Sequence, residues 1–175
     1  MGLNFFQNIQ MVTPVAQFGI IDPTQTSGNL IKTAYVDYSN TSKWNTTVVS
    51  NYKRDVKFCA IDSNVLFYKS WRINLERQRS CDGMLYTNDT IIFLEIKDWS
   101  IDHDGKTFTE SAIEQLENTI VHFCASHPLL IYHKKYAYIS NKARPTFHVL
   151  MSNTLQKFRD NTNGYILKVD TRIIL

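Results

Sequence analysis

The segment from Cys81 to Trp99 has the sequence pattern of a β-hairpin, but it carries three well-spaced charged residues, Asp82, Glu95 and Lys97, that a plain hairpin does not require. The segment reads CDGMLYTNDTIIFLEIKDW, with Asp82 near its start and Glu95 and Lys97 near its end. A carboxylate and an ammonium two residues apart at the end of a buried strand are costly unless they interact with each other or with a ligand. If Asp82 lies across the hairpin from Glu95, the two carboxylates form an oxygen-rich site suited to a hard divalent cation such as Mg²⁺.

The residues between these charges predict two short antiparallel strands. Met84 and Leu85 lead into a cluster of turn-forming residues, Thr87 to Thr90. An apolar run rich in β-forming side chains, Ile91 to Leu94, follows directly. A strand, a tight turn and a second strand are therefore expected.

The alternation of side chains along the second strand decides which of them share a face. It places Glu95 and Lys97 on one face above Phe93, which forms an apolar floor beneath the two charges. Leu94 and Ile96 then fall on the opposite face, which we expect to pack against the core.

The acidic residue, the spacer of twelve residues and the Glu-x-Lys sequence together resemble the motif of the PD-(D/E)XK nuclease superfamily, which has the restriction-endonuclease-like fold. The resemblance implies that Asp82 and Glu95 bind Mg²⁺ together with the backbone carbonyl of Ile96, and that Mn²⁺ can substitute. It also implies that Lys97 orients or deprotonates the attacking water. The residue before Asp82 is Cys81, where the family often has Pro.

A helix is predicted from about Thr109 to Ala125. Thr107 and Glu110 have the Ser/Thr-x-x-Glu spacing of a capping box, and Pro128 limits the helix at its far end. Apolar residues recur within it at spacings of three and four, so one stripe of the helix must face a sheet. The stripe consists of Ile113, Leu116, Ile120 and Phe123.

Gln115 lies on the flank of this apolar stripe. In the superfamily, the helix after the Glu-x-Lys strand lies beside the active site and often carries a Gln. The resemblance therefore implies that Gln115 binds the metal's water or a phosphate. A half-exposed helix residue without a functional role is the alternative.

Basic residues are concentrated directly before Asp82. The chain has a formal net charge of +3 and an isoelectric point near 8.7, which is compatible with a polyanionic partner without requiring one. We predict that this basic segment contacts a nucleic-acid backbone; a solvated surface is the alternative. The segment contains Lys69, Arg72, Arg77 and Arg79.

The rest of the chain predicts a mixture of strands and helices. We expect a surface segment from Asn40 to Asn51 and an edge strand or short helix before the hairpin. A short helix is expected from Ser152 or Asn153 through Phe158. Further strands are expected at Leu129 to Tyr132, Tyr136 to Ser140, Phe147 to Met151 and Tyr165 to Leu175.

These elements favour the α/β (α+β) class and a single domain, residues 1–175. The resemblance implies a restriction-endonuclease-like αβββαβ core, with a mixed central sheet flanked by helices. Residues 1–70 form an N-terminal extension of uncertain structure. The chain is long enough to bury a substantial core, and 43% of its residues are hydrophobic, which excludes a disordered protein.

The cellular location is expected to be the cytoplasm. The three cysteines, Cys59, Cys81 and Cys124, are an odd number in apolar surroundings, which is typical of reduced thiols. The N-terminal residues lack the pattern of a secretory signal, and no apolar run approaches the length of a membrane span. We therefore expect no membrane partner.

The expected function is that of a Mg²⁺-dependent endonuclease, a hydrolase that cleaves phosphodiester bonds, with DNA as the substrate. By analogy with small members of the superfamily, a bacterial defence or mobile-element system is the expected context, as a homodimer or part of a larger complex. Two alternatives remain open: a non-catalytic binding module with the same fold, and an RNA-cleaving toxin.

Overall fold

The structure is a computed structural model that describes residues 3–7, 9–12, 15–23, 33–50, 55–62, 64–71, 74–97, 105–142 and 152–175. Within these residues, nine strands precede the first α-helix, and the two helices fall in the second half of the chain. In chain order they are β1 (Gln10–Val12), β2 (Gln17–Ile21), β3 (Tyr35–Asp37), β4 (Thr46–Val49), β5 (Val56–Ala60), β6 (Phe67–Trp71), β7 (Asn74–Gln78), β8 (Gly83–Tyr86), β9 (Thr90–Lys97), α1 (Gly105–Ser126), β10 (Lys134–Asn141), α2 (Ser152–Asn161), β11 (Ile166–Val169) and β12 (Arg172–Ile174).

The central sheet has six strands in the order β1-β5-β8-β9-β10-β11. The predicted hairpin is confirmed: β8 and β9 pair antiparallel, with Gly83 opposite Leu94 and Tyr86 opposite Ile91. The next strand, β10, pairs parallel with β9 over its whole length, because α1 carries the chain back along the sheet before β10 begins. The sheet is therefore antiparallel on one side of β9 and parallel on the other.

The two helices cover one face of this sheet. Phe93 and Ile91 of β9 lie in a buried cluster with the apolar stripe of α1, including Leu116 and Phe123. Phe158 of α2 belongs to the same cluster. The stripe predicted from the sequence is thus the face that packs against the sheet.

A second sheet covers the other face. Its four strands have the order β12-β4-β2-β3, and its apolar side chains pack against Leu94 and Ile96 of β9. The indole of Trp44 lies where a side chain at Gly19 of β2 would project, so glycine lets the two come into contact. In the part of the chain that the structure describes, the helices, the six-stranded sheet and the four-stranded sheet form three layers. Leu94 and Ile96 face the core as predicted, but both faces of β9 are buried.

In the described residues, helices therefore flank the central sheet on one face, and the four-stranded sheet covers the other. The described residues contain the three antiparallel strands β5, β8 and β9, followed by α1 and β10. No helix precedes β5 among them except a 3₁₀ turn at Thr41–Lys43. Residues 1–70, which the sequence left unassigned, supply strands to both sheets. None of the helices in the described ranges combines the length and apolar character needed to cross a bilayer.

The predicted start of the long helix was wrong. Helix α1 begins at Gly105, so Thr107 lies inside its first turn and cannot be the residue that caps it. The capping-box spacing with Glu110 is therefore coincidental. The end was close to the prediction, because α1 ends at Ser126, two residues before Pro128.

Other local predictions met mixed outcomes. Residues 129–132 form a loop instead of a strand, with Leu129 91% exposed and Ile131 81% exposed. The single final strand was also wrong, since β11 and β12 lie in different sheets. The predicted surface segment at residues 40–51 holds β4, whose Val48 is fully buried. The short helix α2 is confirmed, and the predicted strand at residues 147–151 lies outside the described residues.

The packing of α1 on the central sheet gives a stability prediction. Leu116 is fully buried between α1 and the sheet, so Leu116→Ala should lower the free energy of unfolding by about 2–5 kcal/mol through the cavity that it leaves. The control Val121→Ala, at a position of α1 that is 50% exposed, should change it by less than about 0.5 kcal/mol. Urea unfolding measures both, and equal effects would contradict the assigned helix face.

Candidate functional site

The end of the β8–β9 hairpin brings Asp82 and Glu95 together. The last pair of the ladder joins Gly83 to Leu94, so Asp82 lies opposite Glu95 one position beyond it. The backbone N–H of Ile96 donates a hydrogen bond of 2.5 Å to Oδ2 of Asp82. This bond aligns the Asp82 carboxylate along the end of β9.

Glu95 is a buried acid whose hydrogen-bonding capacity is not filled. Its residue is 1% exposed, and Oε1 forms an ion pair with the ammonium of Lys97, whose side chain is 19% exposed. Within the described part of the chain, Oε2 of Glu95 has no hydrogen-bond partner. Since a buried carboxylate oxygen without a partner is costly, this oxygen calls for a proton or a ligand.

Burial and neighbouring acids disfavour the charged forms of both carboxyl groups. Burial raises the pKa of Glu95 to about 7, Lys97 opposes the rise, and Asp62 and Asp22 add to it. Burial also raises the pKa of Asp82 well above its usual range, and the charges of Glu95 and Asp22 add to this effect. The hydrogen bond from Ile96 and the charge of Lys97 oppose it. The site therefore favours an added positive charge.

Two further acids, Asp22 and Asp62, face the site and were missed by the sequence reading. Asp62 follows Ile61, whose N–H donates to the carbonyl of Asp82 at 2.9 Å. Asp22 lies at the end of β2 in the second sheet, and its N–H donates to Oδ1 of Asn45 at 2.9 Å. Both acids raise the pKa of Glu95, so the acids of the site come from both sheets.

A signal for these two residues exists in the sequence. Each follows an apolar strand directly, as Ile20-Ile21-Asp22 and as Ala60-Ile61-Asp62. What the sequence could not show is that the ends of β2 and β5 lie beside the end of β9, because that depends on how the two sheets pack.

A buried amide also lies at this end of the sheet. Asn141 is 3% exposed and pairs with Lys97 in the β9–β10 ladder. It was not predicted either, although a polar residue at the end of an apolar strand is the same kind of signal. Its position next to Lys97 makes it a further polar residue at the rim of the site.

Helix α1 is tied to the site through Thr119. The buried Oγ1 of Thr119 accepts a hydrogen bond of 2.9 Å from the N–H of Cys81 and donates one of 2.7 Å to the carbonyl of Gln115. Gln115 lies one turn earlier, is buried, and donates through Nε2 to the carbonyl of Ser111 at 3.2 Å. Among the described contacts, its side chain does not reach Asp82, Glu95 or Lys97.

Two of the four basic residues predicted before Asp82 lie in a separate two-stranded sheet, β6 and β7. Lys69 lies in β6 and Arg77 in β7, and Arg79 is exposed just after β7. Arg72 lies outside the described residues. The chain leaves the central sheet at the end of β5 and returns at Asp82, so this two-stranded sheet is inserted at the site.

The donor set fits a hard cation better than a soft one. The N–H and C=O of a strand residue point to the same side, so the carbonyl of Ile96 faces the side on which Asp82 lies. Two carboxylates and this carbonyl are all-oxygen donors, the kind that Mg²⁺ prefers. The described residues contain no group of three or more His, Cys, Asp or Glu side chains placed to hold a metal ion. A bound cation would therefore keep water in much of its coordination shell.

Comparison of the chain with protein-family models, curated proteins and solved structures finds no match. What the site does must therefore be argued from its own chemistry.

The bond between Thr119 and Cys81 gives a prediction for the scaffold of the site. Thr119→Val keeps the shape of the side chain but leaves the buried N–H of Cys81 without an acceptor, which should cost about 1–3 kcal/mol of unfolding free energy. Thr119→Ser retains the hydroxyl and should cost clearly less. Denaturant unfolding measures the free energy of unfolding of both variants. If Thr119→Ser is as unstable as Thr119→Val, the hydroxyl has no stabilising role.

The raised pKa of Glu95 gives a prediction for stability against pH. The native state holds the proton of Glu95 up to about pH 7, whereas the unfolded chain releases it near pH 4.5. Stability from this group is therefore fully present below about pH 4.5 and is lost as pH rises to about 7. Glu95→Gln cannot ionise, so between these limits its stability should rise relative to the unsubstituted protein by on the order of 1–3 kcal/mol. Unfolding at a series of pH values tests this, and parallel curves would contradict it.

Proposed function

We propose that the protein is a divalent-cation-dependent nuclease that hydrolyses phosphodiester bonds, with DNA as its substrate. The observation that carries the proposal is the buried Oε2 of Glu95, which lacks a partner within the described residues, beside Asp82 and Lys97. A site with acids facing one another and a single ammonium is suited to bind a cation and to act next to a phosphate.

The metal and the protein side chains would have separate tasks in this reaction. Mg²⁺, when bound, would act as a Lewis acid on the phosphate and supply a nucleophile at neutral pH. Asp82 and Glu95 would hold the cation, with the carbonyl of Ile96. The hydrogen bond from Ile96 fixes the orientation of the Asp82 carboxylate before any ligand arrives, which reduces the reorganisation that binding requires.

Lys97 would act on the nucleophile and on the developing charge. Its ammonium is held by Glu95 at the end of β9 and is partly exposed, so it can reach a phosphate that enters from solvent. There it would orient the attacking water and stabilise the negative charge that develops on the phosphate oxygens. Gln115 needs a different side-chain rotamer to take part, since its amide now bonds Ser111.

The order of elements around the site supports the same proposal. The described residues contain three antiparallel strands, a helix and a parallel strand, with Asp82 directly before the second strand and Glu95 on the third. The resemblance to PD-(D/E)XK nucleases implies this order of elements. The described residues do not contain the helix that the resemblance implies before the first of these strands. In them, the four-stranded sheet covers the face of the central sheet opposite α1 and α2. We therefore propose that the protein is a member of this superfamily. By analogy, we also propose a role in a bacterial defence or mobile-element system.

A non-catalytic binding module is the second candidate. The observation that favours it is the ion pair between Lys97 and Glu95, which partly compensates the buried acid without any metal. In that case the charges would serve only to shape the end of the sheet. Substitution of Glu95 or Lys97 would then change the stability of the protein, and neither the substituted nor the unsubstituted protein would cleave nucleic acid.

A nicking assay tests the proposal directly. With Mg²⁺ or Mn²⁺ and supercoiled DNA, the unsubstituted protein should nick the substrate, and Glu95→Gln and Lys97→Ala should each lower the rate by about 100-fold or more. EDTA should abolish the activity.

The control for this assay is Glu110→Gln, which removes one negative charge from an exposed position of α1. It should cleave at the unsubstituted rate. Activity that persists in Glu95→Gln and Lys97→Ala would end the assignment of the site, and cleavage of structured RNA in preference to DNA would replace the proposed substrate.

A further inference from the structure

Strands β6 and β7 pair as a two-stranded ribbon, and the chain that leads into β6 is fixed at the candidate site. Ile61, which precedes the ribbon, donates through its N–H to the carbonyl of Asp82. The chain then turns tightly, because the N–H of Val65 donates to the carbonyl of Ile61 at 2.9 Å and the side chain of Asn64 donates to the carbonyl of Ala60. Val65 is 4% exposed and anchors this turn in the core.

The second leg of the ribbon is fixed to α1. Oε1 of Gln78, the last residue of β7, lies 3.0 Å from Nε2 of His122. Three residues later, the N–H of Cys81 donates to Thr119 on the same helix. The base of the ribbon is therefore held on both sides of Asp82, so the ribbon has a defined position relative to the two carboxylates.

The stretch of sequence that contains the two strands of the ribbon has a formal charge equal to the net charge of the whole chain. Residues 66–79 contain four of the 19 Lys and Arg residues but only one of the 16 acidic residues, a formal charge of +3 that equals the net charge of the whole chain. The remaining residues are balanced, with 15 basic and 15 acidic side chains. This segment therefore has an excess of positive charge that favours a polyanion, whereas the rest of the chain has none.

The shape of the ribbon selects among polyanions. Two antiparallel strands lie about 5 Å apart, and five residues of strand are about 17 Å long. The major groove of B-form DNA, about 12 Å wide, admits such a ribbon. The major groove of an A-form RNA duplex is too deep and narrow for side chains to read. The charge and the shape together point to duplex DNA.

We propose that the β6–β7 ribbon docks on the major groove and phosphates of duplex DNA and thereby delivers the backbone to the end of the hairpin where Asp82 and Glu95 lie. This inference deepens the proposed nuclease function and rests on it for its biological meaning. The binding itself requires no cleavage, which allows the two to be tested separately.

The experiment is the salt dependence of binding to fluorescently labelled duplex DNA in EDTA, measured by anisotropy. If Lys69, Arg77 and Arg79 each contact a phosphate, the slope of log affinity against log salt should be about −2.7, a loss of about 40-fold between about 50 and 200 mM salt. Arg77→Gln combined with Arg79→Gln should reduce the slope by about 1.8. Arg77→Lys combined with Arg79→Lys retains both positive charges and should have the same slope as the unsubstituted protein.

The matched control removes two positive charges elsewhere. Lys157→Gln combined with Arg159→Gln, on the exposed surface of α2, makes the same change in net charge away from the ribbon. It should bind duplex DNA with the slope of the unsubstituted protein. An RNA duplex of the same sequence and the corresponding single strand should bind at least about 10-fold more weakly.

Three results would overturn the ribbon inference: an equal loss of slope in the α2 control, equal affinity for the RNA duplex, or no salt-dependent binding of duplex DNA. Failure of the nuclease proposal looks different. Salt-sensitive duplex binding through the ribbon, in a protein that nicks nothing with Mg²⁺ or Mn²⁺, would contradict cleavage and leave the docking surface established.

Discussion

The burial of Glu95 at the end of β9 is the constraint on which the rest of the site depends. A carboxylate that is 1% exposed can exist there only with compensation, and Lys97 supplies part of it on one oxygen. Strand β9 is covered on both faces, by α1 on the face of Phe93 and by the second sheet on the face of Leu94 and Ile96. Each element that covers β9 therefore also helps to set the electrostatics of the site.

The hairpin and its charges could be predicted because the signals are local. The turn residues between β8 and β9 and the alternation through Phe93, Glu95 and Lys97 require only the geometry of a strand pair. The apolar stripe of α1 is local in the same sense, since it follows from a period of 3.6 residues. These features carry the core of the site.

What could not be predicted depends on pairings between distant parts of the chain. Asp22 faces Glu95 because β2 belongs to a sheet that packs beneath β9, and nothing in the residues around Asp22 encodes that packing. The final segment was read as one strand because both halves alternate in the same way, yet β11 and β12 pair with different sheets. The start of α1 was predicted too late because the capping-box spacing of Thr107 and Glu110 was taken to mark the N-terminus of the helix.

The pairing of β12 with β4 has a consequence for how the protein is made. Ile173 and its neighbours complete a sheet whose other strands come from residues 17–49, so this sheet closes only after β12 has left the ribosome. Until then the edge of β4 is open to other chains, because its partner residues, such as Arg172 opposite Thr47, lie far away in sequence. Nascent chains that stall before this strand are therefore expected to be aggregation-prone and to depend on chaperones.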